Sequence, residues 1–247
     1  MQHQLMHQLK SLRLGGMSES LELRLKQAED ASLGYMTFLE LILEDEISRR
    51  AARKMTNRIK QAHFEEEKTL EAFDFGSNPH LPVRSFKDLE TCLFIEQKQN
   101  VLLCGPVGVG KTHLAQGLGH AACRKGYKVR FIKASHLFRN LAVARMEGNW
   151  DAQIRSYGKV DLLIIDDFGL KALTPVQADD IYEVVSERHL KGGMLFTSNR
   201  KVEDWLGLFP DPIYGNSILD RFAHNAHQIT IEGESYRKKK RPNTITA

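Results

Sequence analysis

The sequence predicts an α/β fold: a mostly parallel sheet of five strands, preceded by a small all-helical N-terminal domain. Three observations carry this. Five short apolar runs, at 101–104, 129–132, 162–165, 194–197 and 229–231, alternate with helical patterns. Runs apolar at consecutive positions suit strands covered on both faces, hence parallel pairing. The first run leads directly into a glycine-rich loop and then a helical stretch. Residues 1 to about 70 read as helix throughout.

With 247 residues, of which 42% are hydrophobic, there is room for one α/β domain and a smaller helical piece. The expected division is a helical domain over 1–72, a linker over 73–82 and the α/β domain over 83–247. In the helical part Leu9, Leu12, Leu14, Leu21, Leu23 and Leu25 are spread among polar residues, with Gly15-Gly16 as a break. From Thr37 to about Phe73 there is no Gly or Pro, which predicts one long helix. Thr37 and Glu40 have the spacing of a capping box at its start. Phe75-Gly76-Ser77-Asn78-Pro79-His80-Leu81-Pro82 then reads as an extended connection.

The loop after the first strand is Gly105-Pro106-Val107-Gly108-Val109-Gly110-Lys111-Thr112, which fits G-x-x-x-x-G-K-[ST]. Glycines let backbone N–H groups turn inward and cradle phosphate oxygens. Lys111 supplies a cation for the β- and γ-phosphates, and Thr112 a hydroxyl for Mg²⁺. The helix that follows, opening on His113, points its positive end at the anion. These residues, 105–113, are the expected nucleotide site. Leu162-Leu163-Ile164-Ile165-Asp166-Asp167 is the second signal. A buried strand ending in acids can hold Mg²⁺ through Asp166 opposite Thr112, and Asp167 can orient or deprotonate an attacking water. A capping or turn Asp is the ordinary alternative for that position alone. Thr197-Ser198-Asn199 ends the next run, where a polar side chain could reach the γ-phosphate or the water, or simply make a turn. All three segments follow strands, and ligands of such sheets sit at the carboxyl ends of strands.

Composition narrows the classes. No apolar run is long enough to span a bilayer, and the N-terminus lacks a secretory h-region. Cys92, Cys104 and Cys123 are odd in number and lack metal-ligand spacing, which suits reduced thiols in a cytoplasmic protein without zinc. The net charge of +4 is mildly basic, so its local distribution matters more than its total.

The order of 105–112, 162–167, 197–199, Asp220-Arg221-Phe222 and Ser235-Tyr236-Arg237 resembles the AAA+ ATPases. More narrowly it resembles the branch holding the DnaC helicase loaders and the IstB transposition helpers. The likeness covers nearly the whole chain. Leu12-Arg13-Leu14-Gly15-Gly16-Met17, Phe38-Leu39-Glu40-Leu41-Ile42-Leu43 and 68–75 are also similar to IstB proteins. The resemblance implies ATP and Mg²⁺ as cofactors. It implies Asn199 as the sensor of the γ-phosphate and Arg237 as a second sensor contacting nucleotide in its own subunit. It also implies Arg221 as an arginine finger reaching a neighbouring copy, and so a homo-oligomer. It implies duplex DNA and a transposase as partners, with no membrane role. From residue type alone Arg221 and Arg237 read as surface salt-bridge partners. Two departures from the wider AAA+ pattern stand out. The second acid is Asp167 where Glu is usual. The few residues after Arg237 leave no room for a C-terminal lid domain.

Arg49, Arg50, Arg53, Lys54, Arg58 and Lys60 form a run without an intervening acid. On a helix they fill one arc, opposite Ala51, Ala52, Met55, Ile59 and Ala62. They are the candidate DNA contacts, weighed against a solvated face balanced by Glu44-Asp45-Glu46 and Glu65-Glu66-Glu67. The tail 237–241 is a second basic cluster, whereas Phe73 and Phe75 suit packing better than base stacking. Two rival functions use the same loop: a helicase loader that grips a helicase with its N-terminal helices, and a small-molecule kinase. The paired acids and the finger candidate argue against the kinase.

Overall fold

The structure, a computed structural model, describes residues 2–79, 81–223 and 225–236. It contains two compact units, one ending at Asn57 and one beginning at Arg58.

The first unit is helical. It consists of α1 (Gln2–Ser11), α2 (Gly15–Asp30) and most of α3 (Tyr35–Ala62). Leu21 and Ile42 are buried. Buried Glu46 of α3 accepts from the backbone N–H groups of Gly16 at 2.6 Å and Met17 at 3.3 Å. A carboxylate thus satisfies donors that α2 leaves open at its start, where the helix dipole also favours negative charge. Arg24 and Asp45 form a two-pronged pair at 2.8 and 2.7 Å. α3 does not start at a Thr37–Glu40 capping box. It begins two residues earlier, with Phe38 N–H bonding the Gly34 carbonyl at 3.1 Å, so Gly34 stands at the cap.

α3 also stops well short of Phe73. It ends at Ala62, followed by His63 in the left-handed region at φ 57°. The reason is tertiary. Ala62, Leu70, Phe64 and Phe73 belong to the core of the second unit or pack against it. Leu70 and Phe64 lie where a Cβ on Gly117 or Gly119 would stand, 2.8 and 2.7 Å away. Such burial outweighs the few tenths of a kcal/mol per residue that helix propensity offers. The expected boundary at 72 therefore differs from the division at Asn57/Arg58, because 58–75 belong to the second unit. Within the expected linker, a 3-10 turn over Phe75–Ser77 follows.

The second unit holds α4 (Val83–Glu90), α5 (Leu93–Glu96), β1 (Asn100–Cys104), α6 (Lys111–Lys125) and β2 (Val129–Lys133). It continues with α7 (Ala134–Met146), α8 (Trp150–Gly158), β3 (Leu162–Phe168), α9 (Pro175–Arg188), β4 (Gly193–Ser198), α10 (Pro212–Ala223) and β5 (Ala226–Thr230). The sheet order is β2-β3-β4-β1-β5, and every pairing is parallel. Side chains alternate between two cores. Val101, Leu103, Leu162 and Ile164 enter one with α6, while Leu102, Cys104, Leu163 and Ile165 enter the other with α7 to α10. That period of two is what buries a sheet on both faces. Strand order reverses beside β1, which opens a crevice at the carboxyl ends of β1, β4 and β3.

Candidate functional site

The loop between β1 and α6 occupies that crevice. Its last glycine, Gly110, caps α6 at φ 97°, a left-handed conformation that side chains disfavour. A Cβ there would also lie 2.6 Å from the Phe73 ring. Lys111 is buried and donates to the carbonyls of Gly105 and Pro106, both at 2.8 Å. Its ammonium is thus held inside the curl of the loop.

A cavity of about 490 Å³ opens over the loop. Val107, Gly108, Val109, Gly110, Lys111, Thr112 and His113 line it, with Asp167 and Asn199 opposite. Gly105 and Pro106 do not line it; they support Lys111 from below. Asp166 lies beneath, fully buried, with both carboxylate oxygens 3.0 Å from the Thr112 hydroxyl. Burial pushes its carboxyl above the usual range, while hydrogen bonds from Thr197 and Thr112 pull the other way. Asp167 stands in the left-handed region at φ 57°, where β3 and β4 shift register between Ile165 and Phe168. A bulge of this kind re-aims side chains.

Thr112 and Asp166 offer a hydroxyl and a carboxylate, the hard oxygen donors that Mg²⁺ takes. Among the described residues no group of three or more His, Cys, Asp or Glu gathers to cage an ion. The hydroxyl and carboxylate side by side are a donor set that Mg²⁺ would fit.

Sequence reasoning missed part of the wall. Phe73, Asp74, Ser77 and Asn78, expected as a linker, line the cavity, as do Glu234 and Tyr236. His113 Nε2 lies 2.8 Å from the Thr69 carbonyl and its ring meets Phe73 edge-on. The available signal was Phe73-Asp74-Phe75: two aromatics in a polar stretch belong in a core. Phe73 and Phe75 do pack together, with ring centroids 5.0 Å apart.

Arg221 does not line this chain's cavity. It sits on α10, donating to the Ser186 hydroxyl, with its guanidinium 4.8 Å from the Tyr182 ring centroid. Arg237 and the rest of the tail, with the lid expectation, lie outside the described residues. The basic run is divided. Arg49 pairs with Glu19 at 2.8 Å and Arg50 with Glu46 at 2.6 Å. Arg58 donates to the Cys123 carbonyl at 2.9 Å, at the end of α6. Arg53, Lys54 and Lys60 are exposed and make no ion pair among the described residues. Cys92, Cys104 and Cys123 are buried free thiols. No helix among the described residues is long and apolar enough to cross a membrane.

Sheet order, phosphate loop and the acids of β3 together define a AAA+ protein with a nucleotide site. The fold agrees with solved structures. DnaI matches with a TM-score of 0.59 at 21% identity, over 67% of this chain and 92% of that one. AMPPCP-bound DnaA from Aquifex aeolicus matches with a TM-score of 0.58 at 22% identity, over 72% and 54%. Sequence comparison is more specific. The family model for IstB-like ATP-binding proteins matches residues 7–244, and the chain belongs to that family. A protein of Mycobacterium tuberculosis described as an ATP-binding protein in an insertion sequence is 43% identical, over 97% of this chain and 96% of the relative. An ATP-binding protein of insertion sequence IS21 from Pseudomonas aeruginosa is 35% identical, over 97% and 90%.

Proposed function

We propose that this chain hydrolyses ATP with Mg²⁺, assembles on duplex DNA, and in that state recruits or stimulates an insertion-sequence transposase. One observation carries the catalytic part. Thr112 and Asp166 meet at 3.0 Å directly under a cavity that Asp167 and Asn199 also face. Mg²⁺ at that pair would neutralise phosphate charge as it develops.

The chain's own residues do the rest. The loop amides and the start of α6 hold the phosphates. Lys111 exchanges its two carbonyl partners for phosphate oxygens, stronger acceptors because they are charged. Asp167 orients the attacking water and accepts its proton, and Asn199 donates to the γ-phosphate. No arginine lines the cavity among the described residues. A neighbouring copy supplies Arg221, whose planar, permanent charge suits a phosphoryl group. Turnover then depends on assembly. The insertion-sequence setting of the relatives supports the transposase role. The exposed Arg53, Lys54 and Lys60 are the candidate phosphate contacts.

Radiolabelled ATP turnover and equilibrium ATP binding, with and without duplex DNA, test this. Lys111→Ala should abolish binding. Arg221→Ala should bind ATP normally but lose DNA-stimulated turnover by about a thousandfold, the lower end for arginine fingers. Arg53→Glu with Lys54→Glu should weaken DNA binding and reduce its salt slope by about two. Unchanged DNA affinity would favour the helicase-loader reading, and intact turnover in Lys111→Ala would end the ATPase reading.

A further inference from the structure

Thr197 is fully buried on β4, the central strand of the sheet. Its hydroxyl donates to Asp166 Oδ1 at 2.6 Å and accepts from the Asp167 backbone N–H at 2.9 Å. One side chain thus grips two consecutive residues of β3, both of which carry the chemistry proposed above.

The need for that grip comes from the strand itself. The β3–β4 ladder runs in register from Leu162↔Gly193 to Ile165↔Phe196, then shifts before Phe168↔Ser198. At the shift Asp167 turns left-handed, at φ 57°. A residue in a bulge loses its ladder partner, and a buried N–H left without an acceptor is costly. Thr197 Oγ1 is the acceptor that replaces the ladder. The same oxygen spends its proton on Asp166, which fixes the rotation of a carboxylate that Thr112 also touches. Threonine suits the position because its branched Cβ restricts χ1, so the hydroxyl is pre-aimed.

We propose that Thr197 is a positioning residue: it locks the bulge in β3, holding the Asp166 carboxylate under Thr112 and turning Asp167 toward the cavity. This rests on the reading of Asp166 and Asp167 given above. Serine can keep both hydrogen bonds. Valine, of nearly the same shape, keeps neither.

The test compares Thr197→Val, Thr197→Ser and Asp167→Asn in the full chain. ATP affinity is measured in EDTA and in MgCl₂, alongside kcat and KM for DNA-stimulated turnover. Thr197→Val should bind ATP in EDTA like the wild type, because the phosphate loop is untouched. The affinity gained on adding MgCl₂ should shrink, with KM rising in step, and kcat should fall by about tenfold or more. Thr197→Ser should stay within about threefold of wild type on every readout. A valine variant that keeps its MgCl₂ response and its kcat overturns the inference, as does a serine variant that loses as much as valine. Should the valine chain bind no ATP even in EDTA, Thr197→Cys takes its place. It fills the same volume with a poor hydrogen-bonding sulfur, and the same losses are expected. Asp167→Asn separates the two levels: if it turns over ATP normally, the assignment of Asp167 fails first, whatever Thr197 does.

Discussion

Arg188 is a buried side chain whose removal should destabilise the α/β unit without touching its candidate site. It is 1% exposed, at the end of α9. Its guanidinium donates to four backbone carbonyls: Tyr157 at 2.6 Å, Val160 at 2.9 Å, Asp161 at 3.2 Å and Gly193 at 2.6 Å. These lie at the end of α8, in the turn into β3 and at the start of β4, so one fork ties three elements together at the amino ends of the strands, away from the phosphate loop. Burial pushes the guanidinium down to about 10, still fully charged at neutral pH. Replacing a buried charge by an apolar side chain can be neutral when its partners leave with it. Here the partners are carbonyls, which stay. The Asp161 carbonyl keeps the Gly193 N–H at 3.0 Å, but each buried acceptor that is left orphaned costs about 1–3 kcal/mol, offset partly by no longer desolvating a cation. Arg188→Met should therefore destabilise by about 3–5 kcal/mol, the range seen when one half of a buried charged contact is removed. For a unit this size that is on the order of 10 °C in melting temperature. Arg188→Lys should recover little, since one ammonium cannot span a planar fork. Both tryptophans, Trp150 and Trp205, lie in this unit, so tryptophan emission on heating follows its unfolding specifically. A methionine variant melting within about 2 °C of wild type would refute the carbonyl-staple argument.

Two further outcomes follow from single contacts. Arg24, hydrogen-bonded to Asp45, pulls that carboxyl down to about 2 from an ordinary 3.8. The folded state thus binds the proton less readily than the unfolded chain. The stabilisation is complete above pH 3.8 and is lost as pH falls toward about 2. Circular dichroism of Asp45→Asn should show a flatter acid unfolding profile of the helical unit over that window, and an unchanged profile counts against the pair. In Gly110→Ala the new Cβ meets φ 97° and the Phe73 ring at 2.6 Å. Left-handed strain alone is worth about 1–2 kcal/mol, so ATP affinity by calorimetry should fall about tenfold, and wild-type affinity would show that the loop relaxes freely.

The parts of the site legible in the sequence are those whose chemistry is local. A phosphate cradle needs glycines, a lysine and a hydroxyl within eight positions, and an acid at a buried strand's end needs only the strand before it. So the motif at 105–112, Asp166, Asp167 and the first four strands could be read directly, whereas the fifth, expected at 229–231, runs over Ala226–Thr230. What escaped depends on partners far along the chain. α3 carries no breaker near Ala62, and nothing local says that it stops there. It stops because Phe64, Leu70 and Phe73 find room that Gly119, Gly117 and Gly110 leave on α6 and its loop. Gly110 reads as part of the phosphate cradle, yet it and the two glycines of α6 each make a seat for a side chain 37 to 55 positions earlier. The same holds for Arg58, whose charge suggested DNA but whose guanidinium closes the end of α6. It holds again for Thr197, which reads as part of a polar strand end able to reach phosphate or turn, but whose hydroxyl accepts the Asp167 N–H at the bulge instead. A basic or hydroxyl side chain is spent on whichever unsatisfied backbone group lies nearest in the fold. For the basic run this argues that Arg53, Lys54 and Lys60, not Arg49, Arg50 or Arg58, are the positions at which to look for DNA.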